Sequence, residues 1–272
     1  MSAIIIDGAV VHYETWGRGP PLILVHGWLG SWRYWMSTME ALSSDYRAYA
    51  LDLWGFGDSA KDKSRYSVVG YARLLQDFLE QMGMEGASFV GHALGGAVAM
   101  VLAARRPEMV HRLVSVSVPV QAHALSGRLR SFSNALASQL VLKQDPGWVK
   151  RLLALAKASH DQVANEALKT DPEAISESLR SLAAIDLVEE LRRVRCPHLA
   201  VLGRNDPLID PGEAALFDAL GGRSRSIVME QPGHFPMLEE APPFNRLLRD
   251  FLVDAEQLED LQVKEMWHRR IR

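Results

Sequence analysis

A histidine, a carboxylate and two glycine-flanked turns are the parts of this sequence that could do chemistry. In Gly91-His92-Ala93-Leu94-Gly95-Gly96 the glycines suit a strand-to-helix turn too tight for side chains. Such a turn lifts its middle residue above a sheet and sets the first N–H groups of the next helix beside it. With serine in the middle the run would read G-x-S-x-G and present a nucleophile. Here the middle residue is Ala93, and a methyl group attacks nothing. Taken alone, the run equally fits a glycine-rich turn that opens a close-packed helix. Asp206, in Gly203-Arg204-Asn205-Asp206-Pro207, could orient a base or only cap a turn. His234, between Gly233 and Phe235-Pro236, belongs to a loop; it could move protons or be a surface histidine. His26-Gly27-Trp28-Leu29-Gly30 closes an apolar run. A loop of this kind can turn the Trp28 N–H toward Ala93, where with the Leu94 N–H it would hold a developing oxyanion. His26, Gly27 and His92 are candidates for substrate contact beside them.

The elements that must position these residues follow from periodicity. Ala3 to Asp7 and Ala9 to Trp16 read as strands joined by an Asp7-Gly8 hairpin turn. Pro21 to Val25, Tyr46 to Leu53, Ala87 to Val90 and Val110 to Val118 read as further strands. Trp32 to Leu42, Val68 to Met82 and Leu94 to Arg105 read as helices between them. That alternation predicts a mainly parallel sheet with helices on both faces. Residues 120 to 195 hold no convincing strand, and their helical spacing (Trp148, Leu152, Leu153, Ala156; then Ile175, Leu179, Leu182) predicts a helical insertion, with Asp171-Pro172 starting its second helix. The alternation resumes with His198 to Leu202, a helix between a capping box at Asp210-Pro211-Gly212-Glu213 and a stop at Gly221-Gly222, strand Ser226 to Glu230, and helix Pro242 to Leu252. Asp206 and His234 thus follow strands, where open α/β sheets place their sites.

The order 93, 206, 234 is that of nucleophile position, acid and histidine in the α/β-hydrolase family. The sequence resembles that family, in its serine esterase and lipase-like branch, from residue 9 to residue 252. Asp52-Leu53-Trp54-Gly55-Phe56-Gly57-Asp58-Ser59 is similar to the family's turn after its fourth strand. The resemblance implies an α/β-hydrolase fold, with a mostly parallel eight-stranded sheet flanked by helices. It implies a core of residues 1-119 and 196-252, a helical cap at 120-195 and a C-terminal extension at 253-272. It further implies that Asp206 orients His234, that His234 acts as general base and acid, and that the Trp28 and Leu94 amides form the oxyanion hole. The implied reaction is hydrolysis of a small apolar ester, or a related acyl compound, through an acyl-enzyme, without cofactor or metal.

Ala93 departs from the family pattern, which has serine here in esterases, lipases and C–C hydrolases and aspartate in haloalkane dehalogenases and epoxide hydrolases. The neighbourhood is similar to the serine branch: the elbow reads His-Ala-Leu-Gly-Gly, the His26-Gly27 loop lacks the proline of the aspartate branches, and residues 120 to 195 contain no tyrosine. Ala93 is then a serine replaced by engineering or recent loss, which the intact surroundings favour. Alternatively it is native, in a binding or sensing protein or in an enzyme using His234 and Asp206 alone, as in lyase or cofactor-free chemistry.

Composition narrows the rest. Of 272 residues, 30 are basic and 33 acidic, for a formal charge of −3, without the basic excess of a nucleic-acid binder. One cysteine, Cys196, rules out an intrachain disulfide and a thiolate cluster. No apolar run is long enough to span a bilayer, and the N-terminus lacks signal-peptide character. These features predict a cytoplasmic protein that binds neither membrane nor nucleic acid, with homo-oligomerisation left open. Gly55-Phe56-Gly57-Asp58-Ser59-Ala60 matches G-x-G-x-x-A, but a polar loop follows where a dinucleotide site needs a helix. His12, His111, His123, His160, His198 and His268 have no motif context and read as surface or core residues. The segment Val253 to Arg272 reads as a surface helix, a frayed tail or a partner-binding tail.

Overall fold

A computed structural model describes residues 2–121, 147–157, 161–219 and 223–254. The chain begins with a hairpin of β1 (Ser2–Ile6) and β2 (Ala9–Gly17), paired antiparallel with Ile6 opposite Ala9. Its two turn residues, Asp7 (φ 47°) and Gly8 (φ 75°), both take the left-handed conformation, whose twist matches that of the flanking strands. β2 then pairs antiparallel with β4 (Arg47–Leu51). From there the sheet is parallel: β4 beside β3 (Pro21–Val25), then β5 (Ala87–His92), β6 (Val110–Val116), β7 (His198–Gly203) and β8 (Ser224–Met229). The order of the eight strands is β1-β2-β4-β3-β5-β6-β7-β8. Leu22 to Val25 are fully buried, which is why this strand reads as an uninterrupted apolar run rather than an alternating one.

Helices cover the sheet. A 3₁₀ turn, Trp32–Trp35, leads into α1 (Met36–Leu42). Ser67 caps α2 (Val68–Gln81) by accepting the Gly70 N–H, and the helix buries Tyr71, Leu74, Leu75, Phe78 and Leu79. α3 (Leu94–Arg105) is buried from Leu94 to Ala103, as expected of an all-round apolar helix at the centre of a fold. Between β6 and β7 the described residues form α4 (Trp148–Leu155), α5 (Asp161–Ala167), α6 (Pro172–Ala183) and α7 (Leu187–Arg193). Asp171 caps α6 through the Glu173 N–H. The last helices are α8 (Ala214–Ala219), α9 (Pro236–Glu239) and α10 (Ala241–Arg249), closed by a π turn at Asp250–Asp254.

The inserted helices α5 and α6 are tied to loops that follow the carboxyl ends of strands. The Trp28 indole donates to Ser178 Oγ on α6 (2.9 Å), the Asp171 N–H donates to the Gly55 carbonyl (2.7 Å), and the Tyr66 hydroxyl donates to Asp171 (2.8 Å). Arg33 meets Glu166 of α5 at 3.4 Å.

Local differences from the periodicity have physical causes. Asp210 caps a 3₁₀ turn (Pro211–Glu213) through the Gly212 N–H, while Glu213 Oε2 accepts the Val120 and Gln121 N–H groups at 2.7 and 3.2 Å. The carboxylate therefore fastens the chain where it leaves β6 and does not complete a local box. The expected helix from Pro242 is preceded by the separate turn α9, whose continuation is broken by Ala241-Pro242-Pro243. Gly221-Gly222, His123, His160, His268 and residues 255–272 lie outside the described residues. No helix among the described residues is long and apolar enough to cross a membrane.

Candidate active site

The turn between β5 and α3 is as sharp as its glycines require. Ala93 has φ 46° and ψ −109°, a strained conformation for a residue with a Cβ, costing roughly 1–3 kcal/mol. Its N–H donates to the Val116 carbonyl on β6 (2.8 Å), and its own carbonyl accepts the Ala97 N–H of α3 (3.0 Å). A Cβ on Gly91 would lie 2.5 Å from the Gly95 backbone, and one on Gly95 would lie 2.4 Å from the Val25 carbonyl. Neither position admits a side chain. The methyl of Ala93 is fully buried.

Asp206 and His234 meet from the loops after β7 and β8. His234 Nδ1 lies 2.8 Å from Asp206 Oδ2, and both side chains are buried. Asp206 Oδ1 accepts the Leu208 and Ile209 N–H groups at 2.8 and 3.1 Å, so the carboxylate is held on both oxygens. The His234 loop is held from α9: Glu239 accepts the Gly233 N–H (2.6 Å) and the Phe235 N–H (3.0 Å), the two that flank His234.

His92, the residue before Ala93, ties this loop to the β5 turn. Its Nε2–H donates to the His234 carbonyl at 2.9 Å, and the two imidazole rings lie 4.7 Å apart. Burial, reinforced by the neighbouring His234, pushes His92 well below the ordinary histidine range, so it is neutral. Its Nδ1 is buried without a hydrogen bond. Gly27 packs there: a Cβ on it would lie 2.6 Å from His92 Nδ1 and 3.0 Å from Ala93 Cβ. The ring of His26 is committed to its own loop. Leu53 donates its N–H to Nε2 (3.1 Å), so Nδ1 carries the proton, given to the Gly27 carbonyl at 2.7 Å. Burial holds His26 below the ordinary range. Among the described residues neither the Trp28 N–H nor the Leu94 N–H has a hydrogen-bond partner.

Beside these groups lies an apolar cavity of ≈ 30 Å³, walled by Trp28, Leu152, Leu155, Ile175, Leu179 and His234. This is room for a water or two, against roughly 300 Å³ or more for a typical ligand pocket. α4 and α6 therefore lie close over His234.

Residues 20–170, more than half of the chain, match the family model described as alpha/beta hydrolase fold. The chain belongs to the α/β-hydrolase fold family. A pimeloyl-[acyl-carrier protein] methyl ester esterase from Aliivibrio salmonicida (strain LFI1238) is 31% identical over 255 residues, covering 89% of this chain and 95% of that protein. The protein of the same name from Aeromonas salmonicida (strain A449) is 30% identical over 264 residues, covering 89% and 99%. Among solved structures, a hydrolase from Pseudomonas aeruginosa PA01 superposes with a TM-score of 0.81 at 22% identity, covering 93% of this chain and 98% of that one. A thermophilic esterase from Thermogutta terrifontis does so with a TM-score of 0.81 at 21% identity and the same coverage. The α/β-hydrolase scaffold of the chain is thus that of a hydrolase.

Motif reading passes over Glu239, assigns Glu213 to a capping box and reads His12 as a surface or core residue. Glu239 and Glu213 clamp loops through backbone N–H groups, and no spacing announces such contacts. His12 is a core residue. It is buried with its Nδ1–H on Asp52 Oδ2 (3.0 Å), and Asp52 also accepts the Trp32 and Asp58 N–H groups at 2.7 and 2.9 Å. Gly57 wraps this carboxylate: a Cβ there would lie 2.3 Å from Asp52 Oδ2. Of the glycines in the G-x-G-x-x-A match, Gly57 thus serves Asp52 and Gly55 packs against Ala174 and Tyr66, and the segment after them holds only a 3₁₀ turn, Lys63–Arg65. His12, Asp52 and Asp58 each bring one donor atom within 4.8 Å of the others, but both Asp52 oxygens are already committed to hydrogen bonds.

Proposed function

We propose that this is the site of a carboxylic-ester hydrolase in which Ala93 occupies the nucleophile position, with Asp206 and His234 as acid and base and the Trp28 and Leu94 amides as oxyanion donors. The observation that carries the reading is the buried Asp206–His234 pair at 2.8 Å, bound through His92 to a strained turn centred on Ala93. With serine at 93, His234 would take the hydroxyl proton as the oxygen attacked the ester carbonyl. The amides would hold the oxyanion, and His234 would return the proton to the leaving alcohol. Asp206 would keep the proton of His234 on Nδ1, leaving Nε2 to work. The apolar wall of α4 and α6, acting as the cap, favours an apolar acyl group. The names of the relatives, methyl ester esterases, support an ester as the substrate class.

With Ala93 in place no acyl-enzyme can form. Loss of the serine from such a triad costs on the order of 10⁶ in turnover, leaving roughly 10³–10⁴ over water from the oxyanion hole and binding. Ala93→Ser should therefore raise hydrolysis of p-nitrophenyl butyrate by several orders of magnitude. Adding His234→Ala to that variant should remove nearly all of the gain, because the two residues act as a unit. A folded Ala93→Ser protein that stays inert on short and long esters and thioesters would overturn the reading.

A further inference from the structure

We propose that the cleft between the ends of α3 and α7 is a binding site for a chain of two or more phosphate groups. The cleft lies at the far end of the helix that starts from the Ala93 turn, about 18 Å away for its 12 residues. It is therefore separate from the hydrolase site and does not rest on that assignment. Its volume is ≈ 460 Å³, within the roughly 300–1,000 Å³ of ligand sites and far above the ≈ 30 Å³ beside His234. Arg105, Arg192, Arg193 and Arg195 line it with Ala104 and Pro107, and no described carboxylate does.

The charges around the cleft do not cancel. Arg105 gives its Nε–H and an Nη2–H to one oxygen of the buried Glu190, at 3.2 and 2.9 Å. Glu189 is shared by Arg192 (3.6 Å) and Arg193 (3.3 Å). No described carboxylate pairs with Arg195. Arg223, ahead of β8, donates to the Arg195 carbonyl at 2.7 Å, which fixes the backbone carrying Arg195 and adds a fifth positive charge. Arg106 beside the cleft is matched by Glu108 at 2.6 Å. Two glutamates, and about half a negative charge from each helix end, leave a surplus of about two positive charges. Like charges crowded on one cleft repel, and an entering anion relieves this.

The kind of cation points to phosphate. All four lining cations are arginines. A guanidinium presents its N–H groups as a planar fork that meets two oxygens of a phosphate at once. Four forks spread over a cleft of this volume suit oxygens strung along a diphosphate or triphosphate better than those gathered on one phosphate. Ala104 and Pro107 form only a small apolar wall, so the cleft gives a fatty tail no seat and reads the charge of the phosphate chain.

The test is calorimetric titration of the full chain with tripolyphosphate, pyrophosphate, inorganic phosphate and ATP, at pH 8 and low ionic strength. Tripolyphosphate should saturate at one per chain, with pyrophosphate weaker and phosphate weakest. Arg195→Gln should weaken tripolyphosphate about tenfold, and Arg195→Gln with Arg192→Gln about a hundredfold. Both side chains are exposed, so these variants should fold as the parent does; Arg105 stays, because its loss would strand the buried Glu190. Arg204→Gln, exposed and paired with Glu230 elsewhere on the surface, should leave the affinity unchanged. ATP equal to tripolyphosphate would identify the phosphate chain as the whole ligand, and tighter ATP a nucleotide; either carries the proposal. No saturable binding of tripolyphosphate, an equal loss in Arg204→Gln and Arg195→Gln, or binding of poly-glutamate but not tripolyphosphate would overturn it. The titration reads binding on the unaltered chain, so it stands or falls apart from the activity of Ala93→Ser.

Discussion

The Asp52→Asn substitution tests the site's supporting frame, because the carboxylate is asked to do three things at once. Asp52 accepts from the Trp32 N–H at Oδ1 and from both the Asp58 N–H and His12 at Oδ2. Asparagine keeps one oxygen and replaces the other by a donor. If the oxygen stays on Trp32, the new NH₂ faces the Asp58 N–H and leaves it unpaired; His12 can accept only by losing its proton. One half-buried N–H is orphaned and two charge-assisted bonds are weakened, which sums to about 3 kcal/mol. At about 2–4 °C per kcal/mol for a chain of this size, the unfolding midpoint should drop by roughly 6–12 °C. The pH profile carries a second signature. The hydrogen bond to Asp52 holds His12 above its ordinary 6.5, against burial and with help from Asp58 and Glu14. Its stabilisation is therefore complete below 6.5 and lost as pH rises through the raised folded value. Burial pushes the Asp52 carboxyl up, but hydrogen bonds from His12 and the Asp58 and Trp32 amides outweigh this and leave it below 3.8. Its share is complete above 3.8 and lost as pH falls through the folded value. Thermal unfolding by circular dichroism from pH 2 to 9 reads both. A drop under 2 °C, or an alkaline limb unchanged from the parent chain, would refute the three-donor account.

Two further substitutions probe the lid and the core. Ser178→Ala removes the partner of the Trp28 indole; a net loss near 1 kcal/mol should lower the midpoint by about 2–4 °C and speed proteolysis within residues 147–193, and unchanged cleavage would show that this bond does not hold α6 down. His198, buried on β7 between Ser115 (2.8 Å) and Ser224 (3.1 Å), is pushed down by burial to about 3. The unfolded chain takes up a proton below 6.5 that the folded chain refuses, so stability falls with acid by about 1.4 kcal/mol per pH unit between 6.5 and 3. His198→Gln should flatten that limb in acid-unfolding titrations, and an unchanged slope would place the uptake elsewhere.

Much of the frame is legible because it is local. Pro21–Val25 and Leu94–Arg105 occupy the same residues in the sequence pattern and in the structure, since an apolar run or a cap with a following proline is written in neighbouring residues. The hairpin at Asp7-Gly8 is legible for the same reason. What escapes is contact across distance. His12 reaches Asp52 over 40 residues, His92 reaches His234 over 142, and Trp28 reaches Ser178 over 150. Nothing in the text near His12 or Glu239 marks them, because their partners are backbone groups or side chains brought near only by the finished sheet. Chain order and placement after strands point to the Asp206–His234 contact, but they say nothing of the Glu239 clamp on the histidine loop.

The strain at Ala93 gives these observations their direction. A φ of 46° costs free energy whether the side chain is a methyl or a hydroxymethyl group, and a structural turn with no ligand to serve has no use for it. The cost is borne where the Trp28 and Leu94 N–H groups have no partner among the described residues and where the buried Asp206–His234 pair is tied through His92 to the same turn. In the proposed hydrolase the strain has a use, because it lifts residue 93 above the sheet, where a serine hydroxyl would stand beside the oxyanion donors.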